Sequence, residues 1–219
     1  PFMVGGVSYV AMNYTSAINA GVIVTSTPVM TVLLSWVILR EPIRGAVWLG
    51  ISTAIVGVLY MVSRGDPASL LALSFNVGDI MLVGSCLGVG AYGVSIKKIP
   101  YGLHPLSLLT VICAVGALCH VPFVAYEFMS GEEVVLSAKS AVSLTFLAIF
   151  PSVVAILIWN SAIARIGPSR STLYMYLIPV FTAILAIPLL GESIGVYHVV
   201  GAVLIVIGVT LAGRTPQGN

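Results

Sequence analysis

The chain has 219 residues, of which 59% are hydrophobic and 7% charged, with a net charge of +2 and a mean hydropathy of +1.12. A water-soluble domain carries roughly 25% charged residues, so a soluble fold of this size would lack the polar surface to cover itself, and the solvent must be the bilayer. A balance of +2 does not point to nucleic acid, and Cys86, Cys113 and Cys119 sit in apolar runs without CxxC spacing, so neither a disulfide framework nor a metal or cofactor site is expected.

A membrane-crossing helix needs about 20 mostly apolar residues. Taken in order, the apolar runs predict eight spans, at residues 1–14, 17–39, 45–63, 77–96, 103–126, 141–164, 171–190 and 194–213. The first run is short and opens on Pro1 with no charged segment before it, unlike a signal peptide, and is expected to be the remainder of a longer protein. No run alternates with the period of a barrel strand. The expected fold class is therefore all-α, a polytopic membrane helical bundle. Alternating the loops puts Arg40, Arg44, Lys97, Lys98, Arg165, Arg170 and Arg214 on one side and Arg64 and Lys139 on the other. The positive-inside rule makes the first side, with the C-terminus, cytoplasmic, in a cell (inner) membrane.

One stretch occurs twice. Residues 28–58 and 179–209 align without a gap at an offset of 151, with ten identities in 31 positions. Pro28, Thr31, Glu41, Gly50 and Gly57 recur as Pro179, Thr182, Glu192, Gly201 and Gly208. Shared apolar bias would match Val, Ile and Leu, but not a proline, a glutamate and two glycines in register. The positive charges change ends between the copies: Arg40 and Arg44 become Gly191 and Gly195, while Tyr14 and Asn19 become Arg165 and Arg170. The offset covers five spans, an odd number, so the copies are expected to insert upside down relative to each other, as in a secondary transporter built from inverted repeats.

These residues resemble the drug/metabolite transporter (DMT) superfamily, specifically the EamA-type permeases. The likeness rests on Pro-Val with Leu39-Arg40-Glu41 and Leu190-Gly191-Glu192 downstream, the pairs Gly50/Gly57 and Gly201/Gly208, Gly78-Asp79, and Ala91 beside Gly90, where the family often has Trp. The resemblance implies ten helices in two inverted five-helix repeats, of which eight are visible and the first two are lacking. Residues 1–65 would then be the end of the first repeat (three helices) and 77–214 the second (five helices). It also implies a permease that exports small metabolites such as amino acids through a central cavity between the repeats.

Transport needs a polar path at the bilayer midplane. Pro28 and Pro179 fall near the centres of their spans, each removing an amide and disturbing the carbonyl four residues back, at Val24 and Met175. Thr25, Ser26 and Thr27 flank the first proline and Tyr174 and Tyr176 the second, so these are substrate-path candidates. The plainer reading is helix bending for packing. Trp159, Asn160 and Tyr92 are further candidates, since an amide in hydrocarbon needs a partner and an indole can stack a ligand; an interfacial tryptophan with a packing asparagine is the alternative. Glu41, Glu192 and Asp79 fall at helix junctions and read as structural acids beside helix N-termini. No Asp, Glu, Lys or Arg lies mid-span, which favours a neutral, zwitterionic or amphipathic substrate over a phosphate ester. Gly84 and Gly88 form a GxxxG expected to be a packing seam, or else the seam of a homodimer. There is no GxSxG, HExxH or intramembrane acid pair, so no enzyme is expected. Its partners would be the lipid bilayer and a small-molecule substrate; the competing reading is a non-transporting membrane subunit or sensor with the same fold.

Overall fold

The computed structural model describes residues 5–71, 73–98, 104–130, 137–190 and 195–213. Glu192 and Arg214 lie outside them. In order, the helices are α1 (Val7–Ala11), α2 (Ala17–Val24), α3 (Thr27–Leu34), α4 (Gly45–Val62), the short α5 (Ala68–Leu71), α6 (Val77–Lys98), α7 (Pro105–Met129), α8 (Ala138–Ile149), α9 (Ala155–Ile166), α10 (Pro168–Leu173), α11 (Ile178–Leu190) and α12 (Val196–Gly213). Among the described residues there is no strand. Among the described residues, six segments are long and apolar enough to cross a membrane: Ile18–Leu39, Gly45–Val62, Val77–Lys98, Pro105–Tyr126, Ser140–Ile166 and Val196–Gly213. The chain is a polytopic membrane helical bundle.

Four of the eight predicted spans differ from a simple rod, among them 141–164, which is α8 and α9 joined by a π turn at Phe150–Val154. In 1–14 the described α-helix is α1 alone, and 171–190 runs through α10, a 3₁₀ turn at Tyr174–Leu177 and α11. The predicted span 17–39 is likewise α2, a break at Thr25–Ser26, α3 and a π turn at Ser35–Leu39. The interruptions in 17–39 and 171–190 both stand directly before a proline. Pro28 and Pro179 cannot donate to the carbonyl four residues back, so the preceding turn re-forms with different bonding. The Thr25 and Ser26 amides reach back three residues instead, to the Val22 and Ile23 carbonyls at 3.2 and 2.9 Å.

The tightest contact in the bundle is between α4 and α12. A Cβ built on Gly50 would lie 2.5 Å from the Gly208 carbonyl oxygen and 2.6 Å from the Ala212 nitrogen. One built on Gly57 would lie 2.8 Å from the Gly201 oxygen and 2.9 Å from the Ile205 nitrogen. Rising numbers on α4 meet falling numbers on α12, so the two helices pass antiparallel. In lipid, association is driven by van der Waals contact, and small residues let backbones approach closely. Around this crossing Ile51, Ala54, Val58, Met61, Leu173, Tyr176, Ile205 and Val209 form the main buried cluster.

Helix α6 packs its small residues against the N-terminal helices: a Cβ on Gly78 would meet the Ala11 carbonyl at 2.6 Å, and one on Gly90 would meet Thr31 and Leu34. The expected seam through Gly84 is not formed there, because a Cβ at Gly84 has nothing within 4 Å. Helices α7 and α8–α9 lie at the outside. The most apolar windows of Pro105–Tyr126 and Ser140–Ile166 are 11% and 0% buried in the bundle, leaving their apolar side chains to lipid.

Candidate substrate cavity

A cavity of about 530 Å³ opens between the two proline-kinked helices. Ala20, Gly21, Val24, Thr25 and Pro28 form one wall, and Met175, Tyr176, Ile178, Pro179, Thr182 and Ala183 form the facing one. Ser8 and Met12 of α1, Val58, Met61 and Val62 of α4, Leu82 of α6 and His198 of α12 complete it. Among the described residues, no Asp, Glu, Lys or Arg is on this lining. A largely apolar concavity with a few placed polar groups is the usual form of a small-molecule site.

The kinks supply the polar groups. The Tyr176 hydroxyl donates to the Thr25 carbonyl at 3.0 Å, joining the two walls. The carbonyl that finds a cross-helix donor is thus Thr25's, one residue after the expected Val24. Tyr176 is 2% exposed, so this bond is shielded from competing solvent and ties the helices where neither can complete its own ladder. The Thr25 hydroxyl donates back to the Val22 carbonyl at 2.6 Å, and that of Ser26 to Ile23 at 2.6 Å. Thr27 is buried, and its carbonyl accepts from the Thr31 hydroxyl at 2.9 Å.

Of the predicted path residues, Thr25, Pro28, Tyr176 and Pro179 share this cavity. Ser26, Thr27 and Tyr174 belong to the same kinked segments but are not on its lining, and Tyr174 is exposed. Tyr92, Asn160 and Trp159 are elsewhere: the Tyr92 hydroxyl donates to Asn160 Oδ1 at 2.6 Å between α6 and α9, and Trp159 is half-buried. Asn160 Nδ2 is buried with no partner among the described residues. Sequence reasoning missed Ser8, Met12, Met61, Met175, Thr182 and His198. Thr182 was legible as the offset mate of Thr31. His198 was legible only as a departure, since Val47 holds the equivalent position of the first copy.

The junction acids do local work. Asp79 is fully buried at the third position of α6 and forms a reciprocal cap with Asn76: the Asn76 amide donates to Asp79 Oδ2 at 2.9 Å, and the Asp79 amide donates to Asn76 Oδ1 at 3.1 Å. Thr15 and Asn19 add hydroxyl and amide donors at 2.5 and 3.0 Å, fastening the α1–α2 corner to α6. Glu41 is not in the first turn of the helix that follows it, α4; it accepts from the Ser169 hydroxyl at 3.3 Å, at the start of α10.

Residues 2–63 and 76–214 match the EamA-like transporter family. The chain belongs to that family. This EamA-like chain is 32% identical over 216 residues to "Uncharacterized transporter YyaM" of Bacillus subtilis (strain 168), covering 96% of the chain and 70% of the relative. It is 25% identical over 201 residues to "Probable terminal-alkyne amino-acid exporter" of Streptantibioticus cattleyicolor, covering 92% of the chain and 65% of that relative. A solved crystal structure superposes with a TM-score of 0.73 at 19% identity, covering 97% of this chain and 76% of the other, a likeness of fold. The EamA-like chain is a multi-pass membrane protein of a transporter family.

Proposed function

We propose that the protein is a permease that carries small metabolites through the cavity between its proline-kinked helices. The observation that supports this most is the meeting of Thr25, Pro28, Tyr176 and Pro179 on one cavity of about 530 Å³ with no charged side chain among its described lining residues. A path for a polar solute through lipid needs such a cavity, and broken helices at mid-span are how transporter folds make one. In this reading residues 1–65 and 77–214 are parts of two inverted repeats, and the antiparallel passage of α4 and α12 suits that arrangement, since Gly50 and Gly57 are the offset mates of Gly201 and Gly208. The C-terminus is assigned to the cytoplasm on charge placement, and the direction to export. Amino acids or related metabolites are the substrate class, in keeping with the name of one relative.

The test is flux. Vesicles bearing the full-length protein are loaded with a labelled neutral amino-acid mixture, and efflux is compared with vesicles bearing Pro28→Ala and Pro179→Ala. Efflux above that of empty vesicles, reduced several-fold by either substitution, is expected. Flux equal to that of empty vesicles across amino acids and small amphipathic metabolites would favour a non-transporting subunit or sensor with the same fold.

A further inference from the structure

The cavity's hydroxyls are mostly spent. Ser8 is bonded to Ser85 at 2.7 Å, Thr25 to the Val22 carbonyl and Tyr176 to the Thr25 carbonyl. Among the described residues, the Thr182 hydroxyl and His198 Nε2 are lining groups that donate no hydrogen bond. His198 is the third residue of α12, and its Nδ1 accepts from the Gly195 amide at 3.1 Å while its own amide donates to the Gly195 carbonyl at 3.0 Å. A nitrogen that accepts from a backbone amide carries no proton, so in the neutral ring the proton sits on Nε2. The cap thus fixes one tautomer and leaves Nε2 as an N–H donor on a side chain that lines the cavity, its ring resting against that of Tyr197 at 4.1 Å. The 18-residue α12 begins at this point, and its N-terminal end favours electron-rich groups. The rest of the lining is apolar and deformable, with Met12, Met61 and Met175 among it.

We propose that His198 is the head-group anchor of this cavity, donating from Nε2 to a carboxylate or carbonyl oxygen of an amphipathic organic acid or amide whose apolar body lies among the three methionines. This rests on reading the cavity as the substrate site, and it names the chemistry that site selects. A cationic amphiphile, which has no carboxylate or carbonyl for this anchor, is disfavoured, because among the described residues no lining acid would neutralise its ammonium group; a zwitterion keeps a carboxylate for His198. Val47 stands at the equivalent position of the first copy, so the anchor is present on one side only and gives the duplicated framework a polarity.

The experiment uses the purified full-length protein in detergent and three probes with one apolar body: 4-phenylbutyrate, 4-phenylbutanamide and 4-phenylbutylamine. Titration calorimetry should show the acid and the amide binding about tenfold or more tighter than the amine, the size of one good charge-assisted or shielded hydrogen bond. His198→Gln keeps both a capping acceptor and an N–H donor and should retain the preference. His198→Glu keeps the capping acceptor but offers no donor, so it should fold normally by circular dichroism and lose the acid and amide preference. The proposal is overturned if the amine binds as tightly as the acid, if His198→Glu binds the acid like the parent, or if none of the three probes binds. A head-group preference that depends on His198 in a protein without measurable flux would leave the anchor standing and count against the transport reading instead.

Discussion

The hydroxyl of Tyr176 is bonded to the carbonyl of Thr25 across the cavity, and the two residues are 151 positions apart, the same interval that separates Pro179 from Pro28. Each stands three residues before its proline. The duplication therefore places a tyrosine on one kink opposite a broken backbone on the other, and the bond follows from that difference between the copies. Tyr176→Phe keeps the ring and removes the donor. The expected cost is about 1 kcal/mol, since an intramembrane hydrogen bond of this kind is worth little more than one in water. It should appear as a lower unfolding midpoint in detergent, together with faster labelling of a cysteine placed at Thr182 on the cavity wall.

The α4–α12 crossing has no room for a methyl group. Gly50→Ala places a carbon 2.5 Å from the Gly208 oxygen, so the helices must separate. A loss of about 2–3 kcal/mol is expected from such overpacking. Gly84→Ala is the control on the same scale: it meets nothing within 4 Å and should leave the midpoint unchanged or raise it slightly, since alanine favours the helix. Equal effects of the two substitutions would refute the seam.

Asp79 accepts from Thr15, Asn19 and the Asn76 amide, and all three bonds hold structure together. Asp79→Asn keeps one oxygen for Asn19 and the Asn76 amide and turns its amide nitrogen to Thr15, whose hydroxyl must reverse to accept, so three bonds to a charged acceptor become neutral ones. About 2 kcal/mol of stability should be lost, because hydrogen bonds to a charged group are the stronger ones. Flux per folded molecule should persist. Abolished flux with an unchanged unfolding midpoint would make Asp79 a working carboxylate instead.

Opposed insertion of the two copies can be read directly. Single cysteines at Arg44 and Gly195, the paired positions before α4 and α12, should react with a membrane-impermeant thiol reagent from opposite sides of sealed vesicles, in a background lacking Cys86, Cys113 and Cys119. Labelling from one side would end the inverted arrangement.

Much of this was legible in the residues. Six of the eight apolar runs located crossing segments to within a few positions, because a bilayer leaves a backbone few options. The paired prolines located the cavity, because a missing amide breaks a helix wherever it falls. Less legible was which polar groups would face the cavity. Ser26 and Thr27 are as polar as Thr25, yet only Thr25 is on the lining, a matter of rotation about the helix axis that a break at Thr25–Ser26 resets. Gly84 and Gly88 fit a packing motif, but the motif fixes spacing and not the neighbour. Tyr92 and Asn160 were separate candidates in the sequence, and nothing in their spacing showed that they would bond each other between α6 and α9, away from this cavity.

The glycine crossing also constrains how the protein can move. With backbone against backbone at Gly50, Gly57, Gly201 and Gly208, α4 and α12 cannot slide or roll over one another without collision. The pair forms an axle. In the proposed transport reading, a rearrangement that turns the cavity from one face of the bilayer to the other would bend most readily at the flanking joints, Thr25–Ser26 and Tyr174–Leu177, where the α-helical ladder is already interrupted.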